Sequence, residues 1–283
     1  MARVLIAGCG YVGTELGLRL ASERHAVWGL RRKTSGLPEP IQPLEADLSV
    51  ASSLAGIPAD LDFVVYSVAP AGSDDLLYKA ALVDGLRNLL GALRERSAHP
   101  SRVVLVSTTA VYGQQGGEWV DEDTPEQPAD FRGERALEGE RLLRESSHPC
   151  SIVRFGGIYG PRRTGLLERV RTGRAVYRED PPHYTNRIHL ADCVGVLRHV
   201  LALPDPASLY LGVDCEPVEE RTVMTWLAGA MGAPPPRAAA SGEQGRAPSG
   251  NKRCRNERLI ASGYAFVYPS FREGYRALIE SLT

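Results

Sequence analysis

The sequence has very little lysine. Of its 33 basic residues only Lys33, Lys79 and Lys252 are lysines, and the formal net charge of the 283-residue chain is −1. No long basic run occurs, so the electrostatic footprint of a nucleic-acid binder is missing. Cysteine is sparse and odd in number. The five (Cys9, Cys150, Cys193, Cys215 and Cys254) are widely spaced and form no CxxC pair, which argues against a disulfide framework and against a zinc site. No apolar run is long enough to span a bilayer, so no membrane partner is expected. The N-terminus enters an apolar strand directly, and a cytoplasmic protein without a leader is the expectation. One scarcity is local: between Gly113 and Ile158 there is neither a tyrosine nor a lysine.

What is present points to a layered α/β fold. Apolar residues make up 43% of the chain, enough for one large domain or a large and a small one. Residues 4–7 form a short apolar run that reads as a buried strand. Gly8-x-Gly10-x-x-Gly13 follows at once, and residues 14–24 carry Leu16, Leu18, Leu20 and Ala21 as a helix packed on a sheet would. Strand, glycine turn and helix in this order form a dinucleotide-binding fingerprint. Gly8 permits the tight turn, Gly10 lets backbone N–H groups approach a pyrophosphate, and Gly13 lets the helix pack closely. Tyr11 and Val12 complete the loop at the positive end of that helix.

The second strand, 26–30, runs into Arg31-Arg32-Lys33. A carboxylate usually stands at this place to bind a ribose 2′-hydroxyl. Three cations stand here instead, and a guanidinium binds a 2′-phosphate bidentately. NADP is therefore the expected cofactor, ahead of NAD. Further apolar runs at 41–46, 62–67, 102–106 and 151–155 read as strands. They alternate with helical patterns at 76–94 and 132–146, while 116–130 reads as a polar loop. The alternation predicts a doubly wound parallel sheet. Beyond residue 160 the pattern loosens: short strands near 186–189 and 208–213, helices at 190–203, 218–231 and 271–282, and a Pro/Ala/Gly/Ser-rich loop at 233–250. These suggest a dinucleotide domain over 1–160 and, over 161–283, mainly a small substrate subdomain with some segments returning to the first.

The glycine loop, Asp47-Leu48, Ser107-Thr108-Thr109-x-Val111-Tyr112-Gly113, Arg154 with Tyr159-Gly160-Pro161, and Ile188-His189-Leu190-Ala191-Asp192 together resemble the extended short-chain dehydrogenases/reductases, the NAD-dependent epimerase/dehydratase family. The resemblance implies a Rossmann domain, a small substrate domain and often nucleotide-sugar substrates. It adds Asp47, Leu48 and Ala69 to the cofactor-binding set. It also implies that Thr108 orients a substrate oxygen, and that a Tyr-x-x-x-Lys pair on the next helix moves the proton. That pair is absent. Phe131 falls on the Tyr and Arg135 on the Lys, where Arg135 would meet the cofactor ribose. Phenylalanine has no proton to donate, and arginine is a poor acid/base. Leu82 stands where the family often has Asn. Thr109-Ala110 replaces the Asp-Glu of sugar dehydratases, which argues against 4,6-dehydration.

Two readings follow from the departure. One is an NADP(H)-dependent oxidoreductase or epimerase acting on a small or sugar-derived carbonyl or alcohol, with Thr108 on the oxygen and an acid from outside the usual helix; Tyr159 is one candidate. The other is a catalytically silent NADP(H)-sensing protein. Tyr112 reads as packing, His183-Tyr184 as a solvated loop, and His189 as structural with Asp192 to brace it. Arg187, Arg253 and Arg255 are candidates for an anionic substrate. The helices near 76–94 and 132–146 suggest a homodimer.

Overall fold

The computed structural model describes residues 1–240 and 250–282. In chain order the strands are β1 (Arg3–Ala7), β2 (Ala26–Arg31), β3 (Gln42–Glu45), β4 (Phe63–Tyr66), β5 (Arg102–Thr108), β6 (Glu118–Val120), β7 (Cys150–Phe155), β8 (Gly157–Tyr159), β9 (Val176–Tyr177), β10 (Tyr184–Thr185), β11 (Arg187–His189), β12 (Leu209–Gly212), β13 (Val218–Glu219), β14 (Arg237–Ala238) and β15 (Lys252–Cys254). The helices are α1 (Tyr11–Ser22), α2 (Asp75–Lys79), α3 (Gly85–Glu95), α4 (Phe131–Arg144), α5 (Gly165–Arg171), α6 (Leu190–Ala202), α7 (Glu220–Met231), α8 (Glu257–Ala261) and α9 (Phe271–Glu280).

The chain forms two compact units that interleave in sequence: residues 1–111, 130–154 and 194–210 in the first, and 112–129, 155–193 and 211–283 in the second. A seven-stranded parallel sheet runs in the order β12-β7-β5-β4-β1-β2-β3. The order reverses direction at β1, the switch point at which such sheets hold ligands beyond their strand ends. The central strands are near-continuous apolar runs because helices cover both faces. The core of the first unit packs Leu5, Val64, Val103 and Ile152 against Leu86, Leu89 and Leu93 of α3 and Leu143 of α4.

Four departures from the sequence pattern have physical causes. The helix read at 76–94 is interrupted. A wide π-turn over Ala80–Asp84 separates α2 from α3. The Tyr66 hydroxyl donates to the Ala81 carbonyl at 2.5 Å, and a Cβ on Gly85 would lie 2.7 Å from that hydroxyl, so the helix widens around a side chain. The loop read at 116–130 contains β6, which pairs in parallel with β15, a partner more than 130 positions away. The strand near 208–213 joins the large sheet at its edge as β12 rather than the C-terminal subdomain; all four of its residues are buried. Of the loop read at 233–250, Arg237–Ala238 forms β14 against β9, and residues 241–249 lie outside the described residues.

Helix α4 starts where the sequence says it can. Asp130 caps it, accepting from the Arg132 and Gly133 N–H groups at 2.9 and 3.3 Å, with Glu134 in the first turn and Arg141 and Arg144 in the last. It lies backbone-close to the π-turn. A Cβ on Gly139 would sit 2.4 Å from the Leu82 carbonyl oxygen, so only glycine fits there.

The second unit has its own core of Tyr159, Leu167, Val170, Tyr177, Val223, Met224, Leu227, Phe271, Tyr275 and Leu278. Its α9 is started by a reciprocal capping box of Ser270 and Glu273.

Candidate active site

The β1–α1 turn is built for an anion. Gly8 has φ +85°, and a Cβ there would lie 2.7 Å from the Ser67 backbone. A Cβ on Gly13 would lie 2.8 Å from the Gly8 carbonyl oxygen. Gly10 is different: the nearest atom to a Cβ there is 3.9 Å away. Packing therefore explains Gly8 and Gly13 but not Gly10, which leaves open space above the turn for a ligand to approach the backbone. No side chain caps α1, whose first turn of Tyr11, Val12 and Gly13 carries no acidic residue, so its positive end suits a phosphate. These residues fit a dinucleotide diphosphate.

At the end of β2, Arg31 is half-buried and the following Arg32 exposed, and neither forms an ion pair among the described residues. The nearby carboxylate, Glu45, is engaged elsewhere: its Oε2 accepts from the Thr34 hydroxyl at 3.1 Å and the Thr34 N–H at 3.4 Å. Asp47 accepts from the N–H and hydroxyl of Ser49 at 2.9 and 2.7 Å. Those bonds, aided by the charge of Arg32, hold its carboxyl below the ordinary value. The Leu48 carbonyl accepts from Asn88 at 2.8 Å, which fixes the loop. Ala69 follows β4 and is exposed.

Thr108 ends β5, half-buried. Its Oγ1 accepts the Ala110 N–H at 3.1 Å, which orients the hydroxyl and leaves its proton to be donated. The preceding Ser107 donates to Glu140 Oε1 at 2.6 Å. Glu140 on α4 and Arg154 on β7 are both 0% exposed and paired twice, Nε to Oε1 at 2.9 Å and Nη2 to Oε2 at 2.6 Å. Arg144 adds a third guanidinium bond at 3.0 Å. This buried network locks β5, α4 and β7 directly beneath the Thr108 end. Sequence reading named Arg154 only as part of a motif and overlooked Glu140, since nothing in a run of charged residues marks which one turns inward.

Phe131 and Arg135 both occupy α4, yet neither replaces the missing pair. Phe131 meets Tyr78 of α2 edge to face, with ring centroids 5.4 Å apart. The Arg135 guanidinium is bidentate to Asp75 at 2.7 and 2.9 Å and bonds Glu138 at 2.9 Å. Those carboxylates raise its already high pKa, so it is a staple between α2 and α4 and holds its proton.

The remaining candidates lie in the second unit. Tyr159 is 4% exposed, stacked on Tyr275 at 4.4 Å and edge-on to His189 at 5.3 Å. A Cβ on Gly274 would fall 2.0 Å from its hydroxyl, so the phenol lies against the backbone of α9. Burial pushes its pKa far up. His189 accepts the Ala191 N–H on Nδ1 at 3.2 Å. Asp192 does not hydrogen-bond it. That carboxylate instead receives the Tyr264 hydroxyl and the Val267 and Tyr268 N–H groups at 2.8, 2.8 and 3.0 Å, bracing the loop before α9. Tyr112 is buried and donates to the Asp121 carbonyl at 2.7 Å, a packing role. His183 and Tyr184 are not a solvated loop: His183 bonds the Gly250 carbonyl at 3.2 Å, and Arg253 lies between the rings of Trp119 and Tyr184, 4.7 Å from each. Among the described residues no group of three metal-ligating side chains occurs, and no helix is long and apolar enough to cross a membrane.

Comparison with known proteins finds relatives of the same fold. A structure from Methylobacillus flagellatus, whose name assigns it provisionally to the NAD-dependent epimerases/dehydratases, is 36% identical over 99% of this chain and 98% of its own, with a TM-score of 0.83. The human epimerase family protein SDR39U1, solved with NADPH, is 23% identical over 98% and 99% of the two chains, with a TM-score of 0.79. The Bacillus subtilis spore coat polysaccharide biosynthesis protein SpsK is 28% identical over 172 residues, 59% of this chain; the match spans 57% of SpsK. The model of the NAD dependent epimerase/dehydratase family matches residues 4–192, the stretch that runs from the glycine turn through Thr108 to Asp192, and the chain belongs to that family.

Proposed function

We propose that this protein is an NADP(H)-dependent oxidoreductase or epimerase acting on a small or sugar-derived carbonyl or alcohol through a non-standard active site. The bound dinucleotide would supply or take up hydride. Gly8, Gly10, Gly13 and the first turn of α1 would hold its diphosphate, Arg31 and Arg32 a 2′-phosphate, and Asp47, Leu48 and Ala69 would line the adenosine end. The observation that carries the reading is the Thr108 hydroxyl. Packing alone would be met equally well by valine, which suits a strand end. Here the oxygen is fixed by the Ala110 N–H and the proton remains available for a substrate oxygen. That bond strengthens as charge develops on the oxygen, so it favours turnover over binding. The human neighbour solved with NADPH supports the phosphorylated cofactor in this reading. The test is NADPH oxidation across a panel of carbonyl compounds, repeated with Thr108→Val on the best substrate.

A second reading, a dinucleotide sensor without chemistry, is favoured by one observation: Arg135, at the position of the family's lysine, is fully engaged by Asp75 and Glu138. NADPH binding with no carbonyl-dependent oxidation would select it.

A further inference from the structure

We infer that Tyr78 of α2 is the proton donor that α4 lacks; the inference rests on the catalytic reading above. Four observations carry it, all within the first unit. The ring of Tyr78 stands against Phe131, the residue at the position of the family's proton-donating tyrosine, with centroids 5.4 Å apart and planes at 90°. The ring of a phenol is therefore packed directly against the residue at the tyrosine position. The two helices are held in that relation by the bidentate Asp75–Arg135 pair, three residues before Tyr78 on α2. The helix opens into a π-turn directly after Lys79, and such turns recur at functional sites because the extra residue re-aims the side chains before it. Finally, the Tyr78 hydroxyl has no hydrogen-bond partner among the described residues, and the side chain is half-buried rather than sealed.

Four other phenols are hydrogen-bonded or packed. Tyr66 donates to Ala81, Tyr210 accepts from Ala207, and Tyr112 donates to Asp121. Tyr159 is packed against Gly274 in the second unit. The lysine next to Tyr78, Lys79, is held by Asp84 at 2.7 and 2.8 Å. α2 packs on α4, and α4 packs on β5 and the turn that follows it, so Tyr78, Phe131 and the Thr108 end belong to one packed group.

The step is a single proton transfer. The O–H bond of Tyr78 breaks and a new O–H bond forms on the substrate oxygen, while the carbonyl carbon takes the hydride of the reduced nicotinamide. The phenolate is then reprotonated by water, and the reverse sequence serves alcohol oxidation. Thr108 holds the same oxygen throughout.

The test uses the full chain. Tyr78→Phe keeps the ring and its contact with Phe131, so the fold and NADPH affinity, followed by cofactor fluorescence, should match wild type within about twofold. Carbonyl-dependent NADPH oxidation should fall by about 10²–10⁴-fold, the usual contribution of a positioned acid, and the alkaline limb of the pH–kcat profile should disappear. Returning a phenol to α4 in Tyr78→Phe/Phe131→Tyr should recover part of the rate and restore that limb. A Tyr78→Phe protein with wild-type turnover and an unchanged pH profile overturns the inference while leaving the catalytic reading intact. Absence of any carbonyl-dependent turnover in wild type overturns both.

Discussion

At the β1–α1 turn the backbone does the recognition and side chains are kept out of the way. At the α2–α4 pair the proposed chemistry rests on side chains, and most of the charged ones are engaged in ion pairs. The turn needs three glycines at fixed spacing, and each serves a different requirement: a positive φ at Gly8, close helix packing at Gly13, and open space at Gly10. The helix pair shows the opposite economy. Arg135 is held by Asp75 and Glu138, and Glu140 by Arg154, Arg144 and Ser107, which leaves Tyr78 and Thr108 as hydroxyls with a proton to give. On the proposed reading, a cofactor half with the family's glycine turn coexists with a catalytic half that lacks the Tyr-x-x-x-Lys pair.

The contrast can be broken most sharply at Gly10. Gly10→Ala should leave the unfolding free energy within about 0.5 kcal/mol of wild type, as for a substitution that meets no neighbour, yet abolish NADPH binding because the new methyl occupies the approach to the backbone. Calorimetric titration beside urea unfolding separates the two, and retained binding would show that no diphosphate lies over Gly10.

Glu140→Ala attacks the helix half. It leaves the Arg154 guanidinium buried without its carboxylate, and breaking such a pair costs about 3–5 kcal/mol. Denaturant unfolding should show a loss of this size, and one below about 1 kcal/mol would mean the network does not lock β5 to α4.

The arginines sharpen the cofactor half. Arg31→Ser and Arg32→Ser should each weaken NADPH binding by up to about 1.5–3 kcal/mol, the strength of a hydrogen bond to a charged group, with NADH affinity nearly unchanged. Equal affinity of the wild type for both dinucleotides contradicts the assignment.

A further effect lies in the second unit. Burial pushes the Asp214 carboxyl up to about 8. Because the folded value lies above the unfolded one, its contribution to stability is present at acid pH and declines as pH rises from about 4 towards 8. The slope for one group is at most about 1.4 kcal/mol per pH unit. Asp214→Asn keeps an acceptor for the Glu216 N–H and removes the titration. The variant should therefore gain on wild type between pH 5 and pH 8; a constant difference would mean that Asp214 titrates normally.

Legibility in the sequence followed the same division. The glycine turn, the basic end of β2 and the alternating strands were readable because each requirement is local: a backbone conformation, a charge or a period. The α2–α4 pair was not readable in the same way. Nothing near Glu140 says that it turns inward to meet Arg154, and nothing near Arg135 says that Asp75, 60 positions earlier, will bind it. The π-turn was hidden because its cause, the Tyr66 hydroxyl, lies on β4. The β6–β15 pairing was hidden because three-residue strands show no period, and their partners meet only in the folded chain.

The central claim is that the catalytic half still performs carbonyl chemistry, and the Thr108→Val comparison tests it most directly. With the best carbonyl substrate, kcat for NADPH oxidation should fall by about 10²-fold or more, as for removal of one oxyanion-binding donor, while the NADPH dissociation constant stays within about twofold. Turnover by Thr108→Val equal to wild type, or no carbonyl-dependent oxidation by the wild type, would contradict the account.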